Sequence, residues 1–290
     1  MLNNNKINVA GLVVTFNPTE KQIKNLIKTS TLFDKLIVVD NSCDKKIHSK
    51  LKKIKSKKIH LFFNQCNFGI GYSNNLFFNY LKSANKFNWC MLLDQDTEIE
   101  VDLKKLISFL SVKKVKIAGL NFKLSNFKNN QNNVPVISEK RRIIQSGMIL
   151  NHKIFKEFTY DENLFLDMTD FGFCEKLKLS NIKIYFIENY FIKHKVGKTK
   201  NNHFLLFKKK RTNHPPINCF LMSRNRIILA KNNLYKRKIA NIIFNQFIEI
   251  LFTFIFEKNV IKKVKARLKG IFYGLRGDNF KDINSIKTFL

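Results

Sequence analysis

An apolar run that stops abruptly at two acidic residues constrains the fold more than any other stretch of this chain. Residues 89–93 are apolar, and Asp94, Gln95 and Asp96 follow them directly. A run this short, bounded by charge, is typical of a strand buried on both faces, although its periodicity alone also allows a helix. In a strand, side chains alternate with period two, so Asp94 and Asp96 would leave its carboxyl end on the same side. Such a pair suits Mg²⁺ or Mn²⁺ bound to a diphosphate, and a solvated acidic loop is the plainer alternative.

Buried strands and amphipathic helices alternate along the chain. Apolar runs predict strands at 9–16, 36–39, 59–63 and 117–122, a strand over 142–150 interrupted by Gly147, and a strand at 182–187. Helical spacing predicts helices at 20–29, with Thr19 as its cap, and at 101–112 and 171–179. Acids or amides at the carboxyl ends of alternating strands are typical of a nucleotide-binding α/β sheet.

Several short motifs occur in a fixed order over nearly the whole chain. They are Thr15-Phe16-Asn17-Pro18, Val39-Asp40-Asn41-Ser42, the stretch from Asn67 through Gly69 to Asn75, Asp94-Gln95-Asp96, Ser146-Gly147, Phe165-Leu166-Asp167-Met168-Thr169-Asp170, His194-Lys195-Val196-Gly197, and His214-Pro215-Pro216 followed by Arg224-Asn225. Each is weak alone, but the ordered set resembles the inverting family-2 glycosyltransferases, and most closely their rhamnosyltransferase-like branch. The resemblance implies a GT-A fold, an α/β protein with a Rossmann-like mixed central sheet and flanking helices that binds a nucleotide-sugar with a divalent metal ion.

The resemblance also assigns the reacting groups. Asp170 stands where the family has an acid at the start of a helix, and there it would act as the base on the acceptor hydroxyl. A simple capping role is the alternative for this residue. Asp94, Asp96 and His194 would hold Mg²⁺ or Mn²⁺ on the diphosphate. For His194, a surface histidine after a strand is the alternative.

On the donor side, the resemblance places Asp40 against the base or ribose, with Thr15 and Asn17 lining the same pocket. Asn67, Gly69 and Asn75 belong to the family's glycine-containing loop, and Asp94 would complete the donor site. Arg224 would meet the diphosphate or the acceptor, and one surface cation among many is the alternative.

Two departures from the family pattern concern the acceptor side. Related enzymes usually carry a second acid two residues after Asp170 and then an aromatic residue, whereas this chain has Gly172 and Phe173. Asn218 stands where a basic residue is common. Both changes leave the nucleotide motifs intact and put the acceptor geometry in question.

The chain is very basic, with 290 residues and a formal net charge of +32. Lysines occur in every segment, which favours compositional bias first, attraction to an anionic membrane second and nucleic-acid binding last. Nucleic acid is further disfavoured because Asp40, Asp94 and Asp96 would repel phosphate without a metal. Five widely spaced cysteines with no Cys-x-x-Cys fit neither a disulfide framework nor a zinc site, which favours a cytoplasmic setting.

The pattern predicts a catalytic domain over 1–235 and a helical appendage over 236–290. Residues 239–256 are almost wholly apolar, with Asn241, Asn245, Glu249 and Thr253 as a narrow polar stripe and basic residues on both sides. Such a helix would either lie on anionic lipid at the inner face of the plasma membrane or pack on the catalytic domain or a second copy. A spanning helix is less consistent with the polar stripe.

These features together predict a metal-dependent, inverting glycosyltransferase. The expected reaction adds L-rhamnose from a dTDP-linked donor to a bacterial surface polysaccharide or lipid-linked glycan acceptor, such as lipopolysaccharide or capsule. The rivals are the same machinery with a UDP-hexose or UDP-galactofuranose donor, a non-catalytic nucleotide-sugar-binding homologue, and a nucleic-acid binder built on charge.

Overall fold

The computed structural model describes residues 7–123, 134–193, 199–204, 207–212, 214–232, 234, 238–280 and 282–288. His194, one of the predicted metal ligands, lies outside these residues. Residues 124–133, which follow the strand predicted at 117–122, also lie outside them.

Nine strands of the described residues form one mixed sheet, in the order β3-β2-β1-β4-β8-β6-β9-β5, with β7 paired to β9. The strands are β1 (Val9–Thr15), β2 (Lys35–Asp40), β3 (Ile59–Phe63), β4 (Trp89–Asp94), β5 (Glu98–Ile99), β6 (Ile117–Lys123), β7 (Ile137–Glu139), β8 (Met148–Asn151) and β9 (Tyr185–Lys193). β3, β2, β1 and β4 are mutually parallel, whereas β8 runs antiparallel to both β4 and β6. A separate antiparallel hairpin joins β10 (Thr199–Phe204) and β11 (Phe207–Thr212).

Helices flank this sheet. They are α1 (Glu20–Ser30), α2 (Lys45–Lys52), α3 (Gly69–Ala84), α4 (Leu103–Val112), α5 (His152–Glu157), α6 (Thr169–Leu179), α7 (Pro216–Lys231), α8 (Ile239–Phe256), α9 (Val260–Arg276) and α10 (Ile283–Thr288). A capping box formed by Thr19 and Gln22 begins α1, as the sequence predicted for Thr19.

The central strands are buried on both faces, because alternate residues enter two separate cores. Val13, Val38 and Met91 belong to the core that includes α4, whereas Leu12 and Val39 belong to the core that includes α3 and α6. This arrangement explains why each strand is a continuous apolar run rather than an alternating one.

Two strand predictions need correction. β4 ends at Asp94, and Gln95 and Asp96 form a turn in which the Thr97 N–H donates to the Asp94 carbonyl at 3.1 Å. The argument that strand alternation puts Asp94 and Asp96 on the same side was therefore wrong. The predicted strand at 142–150 is also shorter, because only Met148–Asn151 is extended and paired.

The C-terminal helices pack on α7 rather than standing apart from it. A Cβ at Gly270 would lie 2.4 Å from the Phe220 carbonyl, and one at Gly274 would lie 2.9 Å from the Arg224 carbonyl. The backbones of α9 and α7 are thus in close contact, which only glycine permits at these two positions. The predicted appendage is helical, and it is joined to the catalytic part along the whole face of α7.

Candidate functional site

A cavity of about 380 Å³ opens beyond the carboxyl ends of β1 and β4. Its lining residues come from β1 and its following loop, the start of α3, the end of β4, the loop before α6, and helices α7 and α10: Val14, Thr15, Phe16, Asn41, Asn67, Gly69, Ile70, Asp94, Gln95, Phe165, Leu166, Ile217, Asn218, Leu221 and Lys287. In open α/β sheets this crevice at the strand ends is where ligands bind. The structure thus brings together the predicted residues Thr15, Asn67, Gly69 and Asp94.

Asp40 lies beneath the cavity rather than on its surface. Its carboxylate accepts hydrogen bonds from the Thr15 hydroxyl at 2.6 Å and the Ser42 hydroxyl at 2.9 Å, and His48 Nε2 lies 3.2 Å from its second oxygen. The side chain is fully buried, and desolvation raises its pKa even though these partners oppose the shift. In this arrangement Asp40 fixes Thr15 and the end of β2.

Gln95, the middle residue of the acidic motif, holds the loop after β1 in place. Its Oε1 accepts the Phe16 N–H at 2.8 Å, and its Nε2 donates to the Phe16 carbonyl at 3.3 Å. The sequence analysis did not assign this role, because nothing local links residues 79 positions apart. Phe16 itself is 43% exposed and lines the cavity.

The glycine-containing loop packs against the segment that precedes α6. Asn67 Oδ1 accepts the Gly69 N–H at 2.9 Å, and the Ile70 N–H donates to the Phe165 carbonyl at 2.7 Å. Gly69 has a φ of +87°, and a Cβ there would lie 2.4 Å from that same carbonyl. Glycine is therefore required both by backbone conformation and by space. Asn75 lies further along α3, where it bonds the backbone of Tyr160 and the carboxylate of Glu162 instead of reaching the cavity.

Asp170 sits in the first turn of α6, as predicted, with its carboxylate held by two backbone groups. The Phe171 N–H donates to it at 2.8 Å, and the Gln145 backbone N–H also donates to it. The pKa of Asp170 is raised to about 6, chiefly by burial, with smaller contributions from the nearby charges of Asp167 and Asp94. Asp170 is not among the residues that line the cavity, although the charge of Asp94 acts on it.

The segment of Gln145, Ser146 and Gly147 connects Asp170 to β4. Gln145 Oε1 accepts a hydrogen bond from Asn74 at 2.7 Å, the Ser146 hydroxyl bonds the Thr97 hydroxyl at 2.6 Å, and the Gly147 N–H donates to the Leu92 carbonyl at 2.9 Å. Gly147, with a φ of +83°, lets the chain turn into β8. The sequence singled out Ser146 and Gly147 but missed Gln145, whose backbone reaches Asp170.

The carboxylates of Asp94 and Asp96 are suited to a hard divalent cation by their chemistry. Asp94 lines the main cavity, and Asp96 lines a neighbouring one of about 220 Å³ that Gln95 also borders. No group of three or more His, Cys, Asp or Glu side chains that could hold a metal occurs within the described part of the chain. Two carboxylates are sufficient for Mg²⁺ or Mn²⁺, since such ions usually complete their shell with water and substrate phosphates.

Two further predicted ligand residues are placed away from the cavity. Arg224 is fully buried, and its guanidinium donates to the carbonyls of Asn163, at 2.7 Å, and Asp278, while lying 4.9 Å from the centre of the Phe280 ring. These contacts hold α7 against the C-terminal segment. The guanidinium of Arg224 is thus engaged inside the protein, and it does not make the predicted contact with the diphosphate or the acceptor. Asn17 is exposed, with a φ of +47°, and its N–H donates to the Ser42 hydroxyl at 2.7 Å.

The departure at Gly172 has a packing explanation. A Cβ at this position would lie 2.8 Å from Leu164 Cδ1 and 3.1 Å from Leu229 Cδ2, so the helix presses closely against both leucines. Phe173 is buried, and its ring stacks on Tyr160 at 4.1 Å with an interplanar angle of 6°. An acid at position 172 would therefore have no room, which leaves Asp170 as the acid of this motif.

Comparison with known proteins supports the predicted family. RfbF from Shigella flexneri, a dTDP-rhamnosyl transferase, is 25% identical over 297 residues, which cover 93% of this chain and 96% of the relative. This chain is therefore similar to a rhamnosyltransferase over almost its whole length. No protein-family model matches it. The prediction that the protein is a glycosyltransferase of the rhamnosyltransferase-like kind is confirmed at this level.

Solved structures confirm the fold of this glycosyltransferase homologue. The crystal structure of S. aureus TarS 1–349 in complex with UDP aligns with a TM-score of 0.50 and 17% identity, covering 98% of this chain and 90% of that chain. A longer S. aureus TarS chain aligns with a TM-score of 0.50 and 16% identity, over 98% of this chain and 55% of the other. The fold is GT-A, as the sequence predicted.

Proposed function

We propose that this protein is an inverting, metal-dependent glycosyltransferase that moves L-rhamnose from a dTDP-linked donor to a hydroxyl group of a glycan acceptor. The donor assignment is supported by the similarity to a dTDP-rhamnosyl transferase over almost the full length of both chains. The acceptor is a growing surface polysaccharide or a lipid-linked glycan, and the site of action is the cytoplasmic side of the membrane.

The observation that carries the proposal is the buried carboxylate of Asp170 in the first turn of α6, within electrostatic reach of Asp94 at the end of β4. Inverting transfer needs a base that takes the proton of the acceptor hydroxyl while that oxygen attacks the anomeric carbon. Two backbone N–H groups orient the Asp170 carboxylate, and its pKa of about 6 suits a base that is ionised near neutral pH yet still accepts a proton. Asp94 lines the cavity, and the donor diphosphate would lie in the same region.

The cavity provides the remaining parts of a donor site. Phe16 offers an exposed ring to a nucleobase, and the side-chain NH2 of Asn67 offers a hydrogen-bond donor to polar atoms of the nucleotide-sugar, whereas the Asn41 amide is buried and bonded to Gly69, Ser73 and Asn64. Lys287, from α10, supplies a cation for the diphosphate, and Asn218 lies on the same wall. Asp94 and Asp96 would hold Mg²⁺ or Mn²⁺, which would neutralise charge on the departing nucleotide diphosphate.

The test is thermal stabilisation of the purified protein by dTDP, UDP and GDP, each with and without Mn²⁺ or Mg²⁺. A ligand that binds only the native state raises the melting temperature. We expect the largest shift with dTDP plus metal, and transfer of rhamnose from the dTDP-linked donor to a glycan acceptor. A larger shift with UDP would replace the donor by a UDP-linked hexose or galactofuranose. Nucleotide binding without any transfer would favour a non-catalytic homologue, and absence of binding to all three nucleotides would overturn the proposal.

A further inference from the structure

Helix α8 exposes large apolar residues on its outer side and buries two polar residues, Gln246 and Thr253, on its inner side. Its buried positions are Ile242, Gln246, Ile250 and Thr253, and Gln246 accepts a hydrogen bond from the Ser223 hydroxyl of α7 at 2.8 Å. The exposed positions carry Phe244, Phe247, Leu251, Phe254 and Ile255, with Phe244 65% and Leu251 63% exposed. This is the reverse of the pattern of a helix whose outer face meets water.

Helix α9 repeats the inversion and adds positive charge. Its inner face includes Lys263, which is 2% exposed and pairs with Glu257 at 2.8 Å, while Ile261 and Phe272 are 70% and 54% exposed on its outer face. Exposed basic residues run along the same side of the helix and the turn before it: Lys258, Lys262, Lys265, Lys269 and Arg276. No acidic residue occurs in α9.

We infer that this surface docks on the headgroup region of an anionic lipid bilayer. We call it the outer face, and it comprises Phe244, Phe247, Leu251, Phe254 and Ile255 of α8 and Ile261, Leu268, Phe272 and Leu275 of α9. An apolar stripe bordered by lysine and arginine matches an interface in which acyl chains lie beside anionic headgroups. The inference goes beyond the proposed transfer reaction and does not depend on it.

The charge pattern distinguishes docking on an anionic bilayer from docking on a second copy of the chain. A two-fold symmetric dimer through the outer face would bring the same surface of both molecules together. The basic rim would then face an equal basic rim, with no acid in α9 to pair with it. An anionic bilayer reverses the sign of that interaction, so the charge pattern favours lipid over self-association.

A surface location also fits α8 better than a spanning one. By length and composition alone, residues 239–256 are the one described helix that could cross a membrane. A spanning α8 would have to leave α7, break the Ser223–Gln246 hydrogen bond and carry Gln246, Glu249 and Thr253 into hydrocarbon. Lying flat, the helix keeps these contacts and turns its exposed phenylalanine, leucine and isoleucine side chains to lipid.

The experiment is flotation of the full-length protein with vesicles of phosphatidylcholine, either pure or containing about 30% phosphatidylglycerol. We expect the anionic vesicles to bind the protein at least about tenfold more tightly, and added salt to weaken this preference. The variant Lys262→Gln/Lys265→Gln should lose about tenfold in binding to anionic vesicles. The matched control, Lys24→Gln/Lys28→Gln on the exposed side of α1, should bind like the parent.

A second pair of variants tests how much the apolar residues contribute to vesicle binding. Phe247→Gln/Leu251→Gln should abolish binding, whereas Val112→Gln/Leu179→Gln, which alters side chains that are 80% and 67% exposed elsewhere, should not change it. The variant Phe247→Trp allows a measurement that does not require the binding of the outer face to lipid to be weakened. The single native tryptophan, Trp89, is 3% exposed. Brominated lipid should therefore quench the introduced indole and leave the fluorescence of the parent protein unchanged.

Three results would overturn the inference. The first is equal binding of the parent and of both outer-face variants. The second is absence of vesicle binding together with a dimer, measured by light scattering, that Phe247→Gln/Leu251→Gln converts to monomer. The third is vesicle-bound protein that resists extraction at alkaline pH, since that result would indicate a spanning helix.

Discussion

The side-chain amide of Gln95 forms two hydrogen bonds with the backbone of Phe16, accepting its N–H at 2.8 Å and donating to its carbonyl at 3.3 Å. The pair joins the loops that follow β1 and β4, which supply opposite parts of the cavity wall. The middle residue of the acidic motif thus sets the position of an aromatic ring, while its two neighbours supply carboxylates.

This relationship predicts the effect of changing Gln95. Gln95→Ala removes both hydrogen bonds, and Gln95→Glu keeps only the acceptor and places a carboxylate against the Phe16 carbonyl. Because an exposed hydrogen bond contributes about 0.5–1.5 kcal/mol, we expect Gln95→Ala to weaken nucleotide binding about three- to tenfold, and Gln95→Glu at least as much. Isothermal titration with the preferred nucleotide measures this, and unchanged affinity in both variants would show that the Phe16 loop does not contact the donor.

Asp170 and Asp167 offer a matched test of the proposed base. Burial raises the pKa of each to about 6. Asp170→Asn should abolish transfer while nucleotide binding persists, because only this residue is placed to accept the acceptor proton. Asp167→Asn should retain most of the activity. Initial rates and nucleotide affinity of both variants decide the matter, and wild-type turnover of Asp170→Asn would move the base to another residue.

The same raised pKa values predict how stability depends on pH. Between about pH 4 and pH 6 the native state binds more protons at these carboxyl groups than the unfolded state does, so their contribution to stability falls as pH rises. Above pH 6, Asp170→Asn should therefore be more stable than the parent by about 1–3 kcal/mol, and the difference should vanish below about pH 4. Urea unfolding in metal-free buffer at pH 4 and pH 7.5 tests this, and a variant less stable than the parent at pH 7.5 would contradict it.

Among the described residues that line the cavity, Lys287 is the one lysine or arginine, and Asn218 lines the cavity as well. Lys287→Met should weaken nucleotide diphosphate binding about tenfold, since a charge-assisted hydrogen bond contributes about 1.5–3 kcal/mol and this one is solvent-exposed. Restoring a cation nearby, in Lys287→Met/Asn218→Lys, should recover part of the affinity. Lys24→Met on α1 serves as the control. The corresponding nucleoside should bind the parent and Lys287→Met equally, and an equal loss for the nucleoside would point to disturbed packing of α10 instead.

The parts of the fold that the sequence predicted are those that depend on local pattern. β1, β2 and β3 are apolar runs bounded by polar residues, and Thr19 caps α1 through neighbours three residues away. Where the end of a helix or strand depends on tertiary contacts, the sequence predicted it less well. β4 ends at Asp94, as its apolar run indicated, but Gln95 and Asp96 form a turn, and Asp94 and Asp96 line different cavities.

The site was predictable where a motif lies at a strand end, and not where its partners are distant in sequence. Thr15, Asn67, Gly69 and Asp94 line the cavity, as the resemblance implied. The resemblance implied that Arg224 contacts the diphosphate or the acceptor, but its guanidinium donates to carbonyls 61 and 54 positions away. Such long-range pairing leaves no signal in the local sequence.

Gly69 and Gly277 allow the steric requirement of the glycine-containing loop to be separated from its backbone conformation. Both have positive φ, +87° and +82°, so alanine should cost each about 1–2 kcal/mol of stability. At Gly69 the new Cβ would also lie 2.4 Å from the Phe165 carbonyl, whereas at Gly277 its nearest neighbour is the Lys231 ammonium at 3.4 Å. We expect Gly69→Ala to lose about 1–3 kcal/mol more than Gly277→Ala.

The substitution Gly69→Ala should also disturb the cavity, because the Phe165 carbonyl accepts the Ile70 N–H and both Phe165 and Ile70 line the cavity. Nucleotide affinity should therefore fall in Gly69→Ala and stay unchanged in Gly277→Ala. Urea unfolding with equal slopes for the two variants, together with nucleotide titration, measures both effects. If the two alanine variants lost equal stability and both bound nucleotide normally, the contact between Gly69 and Phe165 would not be what fixes this wall of the cavity.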